Sequence, residues 1–193
     1  MVGQLVSYMF TSLDGYIADD DGQLDWVPID HQLIAFANDF FADVGGIVFG
    51  RRIYQGFVEY WDHLDLRAPE TTEDDVRFAK IFGSTPRFVA TRTLESAEPR
   101  TTLIRDDVEG AIGRLKADAS ADLALVAGPA LRSELAAAGL LDRLLVLLVP
   151  VVLGSGIRHF ADETHEFRLR LTDIRRFDGG VTLLDYQVLP AEP

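Results

Sequence analysis

The chain has 193 residues, is 48% hydrophobic and 25% charged, and carries a formal net charge of -13. That composition is globular and the length suffices for a sizeable core, while the acidity argues against a nucleic-acid or anionic-membrane partner, because both require basic surface. With no cysteine, disulfides, thiolate catalysis and cysteine-ligated metal sites are excluded. The same lack fits a reducing cytoplasm, where we expect the protein. The opening MVGQLVSYMF has no basic n-region and meets Asp14 early, so it is not expected to be a signal peptide. The longest apolar run, LLVLLVPVVLG at 144–154, falls far short of the ~20 residues that span a bilayer.

In chain order, residues 4–10 predict a first strand, followed by a turn at Asp14-Gly15, a pair suited to positive φ. DDDGQLDW at 19–26 is a polar loop; it has a superficial calcium-loop look but lacks the glutamate at the twelfth position. From Asp30, a fair N-cap, apolar residues recur at helical spacing until Gly45-Gly46. A short strand at 47–49 runs straight into a helix, RRIYQGFVEYW. HLDLRAPETTEDDV reads as a solvated acidic excursion able to move over a ligand, and RFAKIF as a short helix. Residues 86–94 predict a strand and 99–105 another, and DDVEGAIGRLKADA an amphipathic helix capped by Asp106 or Asp107. Then come a strand DLALVAG, a helix with Pro129 in its first turn, a strand at 143–149 and a Gly-Ser-Gly loop. Residues 162–166 read as a charged turn, and FRLRLTDIRRF and GVTLLDYQVL as a hairpin joined at Asp178-Gly179-Gly180. Strands alternating with helices, closed by a hairpin, predict one α/β domain over 1–193: a mainly parallel sheet flanked by helices, with an antiparallel C-terminal hairpin.

In such a sheet ligands gather beyond the carboxyl ends of the strands, near helix N-termini. Three strand-to-helix turns carry suitable groups there. Gly50-Arg51-Arg52 combines a glycine with two guanidiniums; Thr91-Arg92-Thr93 gives two hydroxyls and a third guanidinium; Ala127-Gly128-Pro129 gives backbone amides, less the one proline lacks. Singly each is an ordinary turn, and none is a Rossmann or P-loop fingerprint. A phosphate-rich ligand lying across the sheet edge accounts for all three. His31, His63, His159 and His165 show no H-E-x-x-H spacing, and no metal site is expected.

The order SLDGYIAD, FGRRIYQ, VATRT, VAGPAL, LLDRLLVLLVPVVLGSGIRHF resembles the dihydrofolate reductase-like superfamily over nearly the whole chain. The closer likeness is to the branch formed by the reductase domain of the bacterial riboflavin-pathway deaminase-reductase. The resemblance implies an NADPH-dependent reductase. It places the adenosine 2′-phosphate at Gly50, Arg51 and Arg52 with Thr91, Arg92 and Thr93, and the pyrophosphate at Ala127, Gly128, Pro129, Ala130 and Leu131. Ser12, Ile17 and Ala18 would lie by the nicotinamide. The family's first glycine under the pyrophosphate is Ala127 here; in dihydrofolate reductases that peptide is cis, a geometry costing about 2.5–4 kcal/mol at a non-proline bond.

On the substrate side Asp30 is the nearest match to the pterin carboxylate and Asp14 the choice for an acid or orienting group near the ring. Leu147 falls where a pterin-supporting threonine is expected, which disfavours folate. Trp26, Tyr54 and Tyr16 are candidates to line or close the pocket, and Gly154 belongs to the segment lining its other side. Arg158, with His159 and Arg132, offers basic contacts for a substrate phosphate. The resemblance also implies a homodimer, with strand 144–153 and the C-terminal hairpin as contacts. The substrate class expected is a small heterocyclic or carbonyl-type molecule. The alternative is a catalytically silent dinucleotide-binding module, a sensor or scaffold; a flavin in place of the nicotinamide is a third possibility.

Overall fold

The computed structural model describes residues 3–162 and 165–190, so residues 163 and 164 of the turn expected at 162–166 lie outside the described residues. The chain runs β1 (Leu5–Ser12), β2 (Tyr16–Ala18), α1 (His31–Asp43), β3 (Gly46–Gly50), α2 (Arg51–Trp61), α3 (Glu73–Ser84), β4 (Arg87–Ala90) and β5 (Thr101–Ile104). It continues through α4 (Val108–Asp118), β6 (Leu123–Val126), α5 (Pro129–Ala137), β7 (Arg143–Val149), β8 (Ile157–Arg158), β9 (Leu169–Arg176) and β10 (Thr182–Val188). Eight strands form one sheet in the order β5-β4-β3-β6-β1-β7-β10-β9. The first six pair in parallel; β10 is antiparallel to β7, and β9 to β10.

Alternation along the strands splits the core in two. Val6 and Tyr8 of β1, Ile47 and Phe49 of β3 and Leu145 and Leu147 of β7 face α1, α2 and α3. Leu5, Val48, Leu123, Leu125 and Leu144 face α4 and α5. Central parallel strands buried on both faces read as unbroken apolar runs, as LALV of β6 does, all four residues being buried.

Three helices begin at side-chain caps. Asp30 accepts from the Leu33 amide (2.7 Å) at α1, Asp107 caps α4 from the left-handed region (φ 46), and Thr72 with Asp75 forms a capping box at α3. The second half of the acidic ETTEDD stretch is therefore helix rather than loop: Glu73, Asp74 and Asp75 are the first turn of α3, where carboxylates suit the positive end of the helix dipole. The strand expected to 94 ends at Ala90, because the Thr91 hydroxyl turns back to accept from the amides of Thr93 and Leu94. β2 and β8, which the sequence pattern did not announce, form a separate two-stranded ribbon. β7 is interior, between β1 and β10, so the outer edge of the hairpin is β9, exposed throughout. Among the described residues there is no cis peptide, so Ala127-Gly128 is trans, and no helix is long and apolar enough to cross a membrane.

Asp30 has a second role: its other carboxylate oxygen accepts from the Gly179 amide of the hairpin turn. Asp30→Ala is expected to lower stability in urea titrations by about 1–2 kcal/mol, at the upper end of the cost of losing an N-cap.

Candidate functional site

The topology opens a crevice at one place. β3 and β6 are adjacent and parallel, but α2 leaves β3 toward the α1 face while α5 leaves β6 toward the opposite face. Ligand sites in open α/β sheets form where neighbouring connections diverge in this way. The two turns nearly touch: a Cβ built on Gly50 would stand 3.7 Å from the Gly128 amide nitrogen. A Cβ on Gly128 would meet nothing within 4 Å, so the space above that backbone is open. Unlike α1, α3 and α4, both helices that start here lack a side-chain cap. Two helix N-termini with unused amides thus converge at the carboxyl end of the sheet, a ready anion site.

Beside them lies an open cleft of about 640 Å³ lined by Arg51, Thr91, Arg92, Thr93, Arg105 and Leu131, among others. Arg51, Arg92 and Arg105 follow the ends of three adjacent strands, and among the described residues none of them is in an ion pair. Among the described residues the Arg51 side chain donates to Gln55 (3.2 Å) and the Arg105 side chain to the Glu95 carbonyl (3.2 Å). Asp106, Asp107, Glu109 and Glu134 also line the cleft, but Asp107 is turned to the Gly110 amide and Arg114. The structure brings Arg51, Thr91, Arg92, Thr93, Ala130 and Leu131 together on this cleft and adds Arg105, which sequence reasoning passed over as the tail of a strand. Arg52 is exposed and does not line the cleft. The Thr91 hydroxyl accepts from two amides of its own turn, which fixes the oxygen and leaves its proton to donate, alongside the Thr93 hydroxyl.

The second part of the site is the exit of β1. Asp14 accepts from the Ser12 hydroxyl (2.7 Å) and from the amides of Leu153 (3.1 Å) and Gly154 (2.7 Å). The Ser12 hydroxyl, helped by those amides, holds the Asp14 carboxyl down at about 2, so at neutral pH it is an anion occupied on both oxygens. This geometry orients two loops and leaves Asp14 no proton to give. Asp30 is likewise held low, first by the Leu33 amide, and works as a cap. Ile17 and Ala18 are buried in the β2–β8 ribbon, where Gly156 (φ 137) sits so tightly that a Cβ would come within 2.2 Å of the Ala18 carbonyl oxygen. Arg158 lies at the rim, 5.5 Å from the Tyr16 ring centroid and 3.7 Å from Asp162. Gly154 closes the loop at φ 80, and the half-buried Trp26 donates to the Gln23 carbonyl (3.1 Å).

Three residues belong elsewhere than sequence reasoning put them. Tyr54 does not line a pocket: it is 3% exposed in the α2 core, and its hydroxyl accepts from the Glu98 amide (3.1 Å) and meets Thr101 (3.2 Å). Arg132 and His159 are not surface contacts for a phosphate. Arg132 is wholly buried and donates to Ser7, to the His159 carbonyl and to the Ala127 carbonyl. The His159 ring meets the Thr11 hydroxyl through Nδ1 (2.6 Å) and stacks on Phe160, and its Nε2 is buried with no partner among the described residues. No local signal announced this cluster, since Thr11 and His159 are 148 residues apart.

Among solved structures, the chain is similar to a candidate riboflavin biosynthesis protein from Shewanella (TM-score 0.73, 23% identity, 97% of this chain and 99% of that one). It is similar as well to a diaminohydroxyphosphoribosylaminopyrimidine deaminase/5-amino-6-(5-phosphoribosylamino)uracil reductase from Thermotoga maritima (TM-score 0.64, 16% identity), spanning 57% of that longer chain. A third likeness is to a dihydrofolate reductase from Enterococcus faecalis complexed with NADP(H) (TM-score 0.62, 13% identity, 97% of this chain and 96% of that one). These likenesses define a dihydrofolate reductase-like α/β fold. Residues 4–183 match the RibD C-terminal domain, and the chain belongs to that reductase-type family. Its relatives include the uncharacterized proteins YwjB (27% identical; 95% of this chain, 97% of the relative) and YyaP (25%; 95% and 94%) of Bacillus subtilis.

Burial, and behind it the charge of Arg132, pushes the His159 imidazole from its ordinary 6.5 down to about 3. Its folded-state value is depressed, so the stability that neutral His159 confers is complete above about pH 6.5 and is lost as the pH falls toward 3. The loss approaches ~1.4 kcal/mol per pH unit. In urea unfolding at pH 7, 6 and 5, the stability advantage of wild type over His159→Gln is expected to shrink at each step; a constant gap refutes this assignment.

Proposed function

We propose that the protein is an NADPH-dependent reductase, acting in the cytoplasm as one domain over 1–193, that delivers hydride to a small heterocyclic or carbonyl-type substrate. The observation that carries this reading is the convergence of two uncapped helix N-termini flanked by arginines without ion-pair partners. Three arginines that form no ion pair among the described residues, although Asp106, Glu109 and Glu134 also line their cleft, have their guanidiniums available to an anion of several charges.

Arg51, Arg92 and Thr93, joined by Arg105, would take the 2′-phosphate, with Arg52 adding long-range attraction only. The amides after Gly50 and Gly128, through Ala130 and Leu131, would take the pyrophosphate, Pro129 presetting the first turn of α5 and Ala127 holding the strand end. Ser12, Ile17 and Ala18 would form the nicotinamide end, shaped by the Asp14 tie to Leu153 and Gly154. NADPH, when bound, supplies the hydride. The chain positions it, excludes water from one side, and presents substrate between Trp26, Gly154 and Arg158. Neither Asp14 nor Asp30 holds a proton at neutral pH, so solvent water is the proton source.

The same facts favour a second reading, a dinucleotide-binding module without turnover, because the site residues include no protein acid able to donate. Tight NADPH binding with no NADPH oxidation across pterins, pyrimidines, quinones and dicarbonyls identifies that case; oxidation with any of them identifies the reductase.

A second copy of the chain is the partner that fits the C-terminal hairpin. On β9, Leu169, Leu171 and Ile174 are 39%, 45% and 57% exposed, and the same strand carries Arg170, Arg175 and Arg176 against one Asp173, a basic balance suited to an otherwise acidic twin. Ile174→Glu is expected to convert a dimer to a monomer in sedimentation velocity, with the circular dichroism unchanged.

The primary test is calorimetric titration. NADPH is expected to bind wild type at least tenfold more tightly than NADH, about 1.4 kcal/mol, and Arg51→Ala to abolish that gap. A gap that survives the substitution removes Arg51 from the 2′-phosphate site.

A further inference from the structure

Among the described residues Arg132 ranks first of the large side chains that are fully buried, and it pairs with no carboxylate. Its Nε donates to the Ser7 hydroxyl (3.1 Å), one terminal nitrogen to the His159 carbonyl and the other to the Ala127 carbonyl. All three acceptors are neutral. Among the described residues it forms no ion pair; its nearest ring is Phe160, with the centroid at 5.9 Å. The one titratable side chain shown beside it, His159, is neutral down to about pH 3. Burial pushes the guanidinium down to about 9, which still leaves it charged at pH 7.

A buried charge without a counter-charge costs several kcal/mol, and an apolar chain of similar length would fill the space without that cost. The hydrogen bonds satisfy the N–H groups but cannot cancel the charge. Its position sharpens the anomaly. The Arg132 amide makes an early bond of α5, to the Gly128 carbonyl (3.3 Å), and the side chain folds back under Ala127, the residue before that turn. A cation therefore sits beneath the positive end of an uncapped helix, where the dipole disfavours it. Two positive features share one place, and what both lack is an anion on the outer side of the Gly128 turn.

We propose that Arg132 is a built-in counter-charge for the phosphates bound at the start of α5: a positioning residue that never touches the ligand, strengthens the anion site from below, and ties the Ala127 turn to the His159 segment. This rests on the dinucleotide reading of the site. In the low-dielectric interior the charge is poorly screened, so it acts across the turn. Its signature differs from that of Arg51, which would read the 2′-phosphate alone. Arg132 would serve the phosphates common to NADPH and NADH.

The test titrates NADPH, NADH and inorganic pyrophosphate into wild type, Arg132→Gln and Arg132→Lys. Arg132→Gln is expected to weaken all three at least tenfold while leaving the NADPH-to-NADH ratio unchanged. Arg132→Lys is expected to bind near wild type at pH 6 and to lose affinity as the pH rises to 8, where a buried ammonium gives up its proton; wild type, its guanidinium held at about 9, stays level over that range. Should Arg132→Gln not fold, the pH course of Arg132→Lys decides alone. A folded Arg132→Gln that binds like wild type, or an Arg132→Lys whose binding is flat with pH, overturns the proposal, leaving Arg132 a structural tie. Wild type that takes pyrophosphate but neither dinucleotide sinks the cofactor reading, and the Arg132 comparison then runs on pyrophosphate. Wild type that takes none of the three overturns both.

Discussion

Everything at the carboxyl end of the sheet depends on one constraint: adjacent parallel strands β3 and β6 send their chains to opposite faces. A strand that ends in a parallel sheet must leave toward one face or the other, because a crossover helix is needed to return. When neighbours leave in opposite directions, no segment covers the gap between their ends. Gly50 and Gly128 line that gap with bare backbone, and α2 and α5 begin there with unused amides. The arginines after β3, β4 and β5 are placed along the same rim because their strands are consecutive neighbours in the sheet.

The rest of the chain holds this rim in place. Asp14 ties the β1 exit to the loop after β7, and Asp30 ties α1 to the C-terminal turn. Both use a carboxylate to accept from backbone amides on segments about 140 residues or more away, 139 for Asp14 to Leu153 and 149 for Asp30 to Gly179. An ionised acceptor suits this task, since charge-assisted bonds are stronger than neutral ones. The residues that look most like acids are thereby spent on architecture. At the opposite end of β1 a further pair, Lys116 with Asp142, plays a comparable part, Asp142 also accepting from the Leu5 amide (2.7 Å).

Much of the fold was legible in the sequence, because its signals are local. The alternation of strand and helix, the Asp30 cap, the strand-to-helix turns at Gly50 and Gly128 and the closing hairpin each show in a short window; the turn at Thr91, expected to be a third of that kind, instead leads from β4 to β5 with no helix between. Long-range matters were not legible. Thr72 with Asp75 is a capping box that the surrounding acidity disguised as a solvated loop. Tyr54, polar at its tip and following two arginines, read as a pocket residue, yet its ring belongs to the core and its hydroxyl to Glu98 and Thr101. Arg132 and His159 are polar residues whose burial depends on partners from β1, and no pattern within α5 or the loop before β9 reports that. Arg105 was missed for a simpler reason: a single arginine at a strand end has no distinctive sequence mark.

The unequal capping of the helices also bears on how the protein meets its solvent. α1, α3 and α4 complete their first turns with their own side chains, so they need no solute to do so. α2 and α5 leave theirs to whatever occupies the crevice, and any species that binds there and not to the unfolded chain adds to folding free energy by mass action. An anion that binds there as proposed would make the folding equilibrium of this chain depend on its buffer: phosphate or sulfate would become a thermodynamic component of the protein, and a melting temperature would define it only together with the salt in which it was measured.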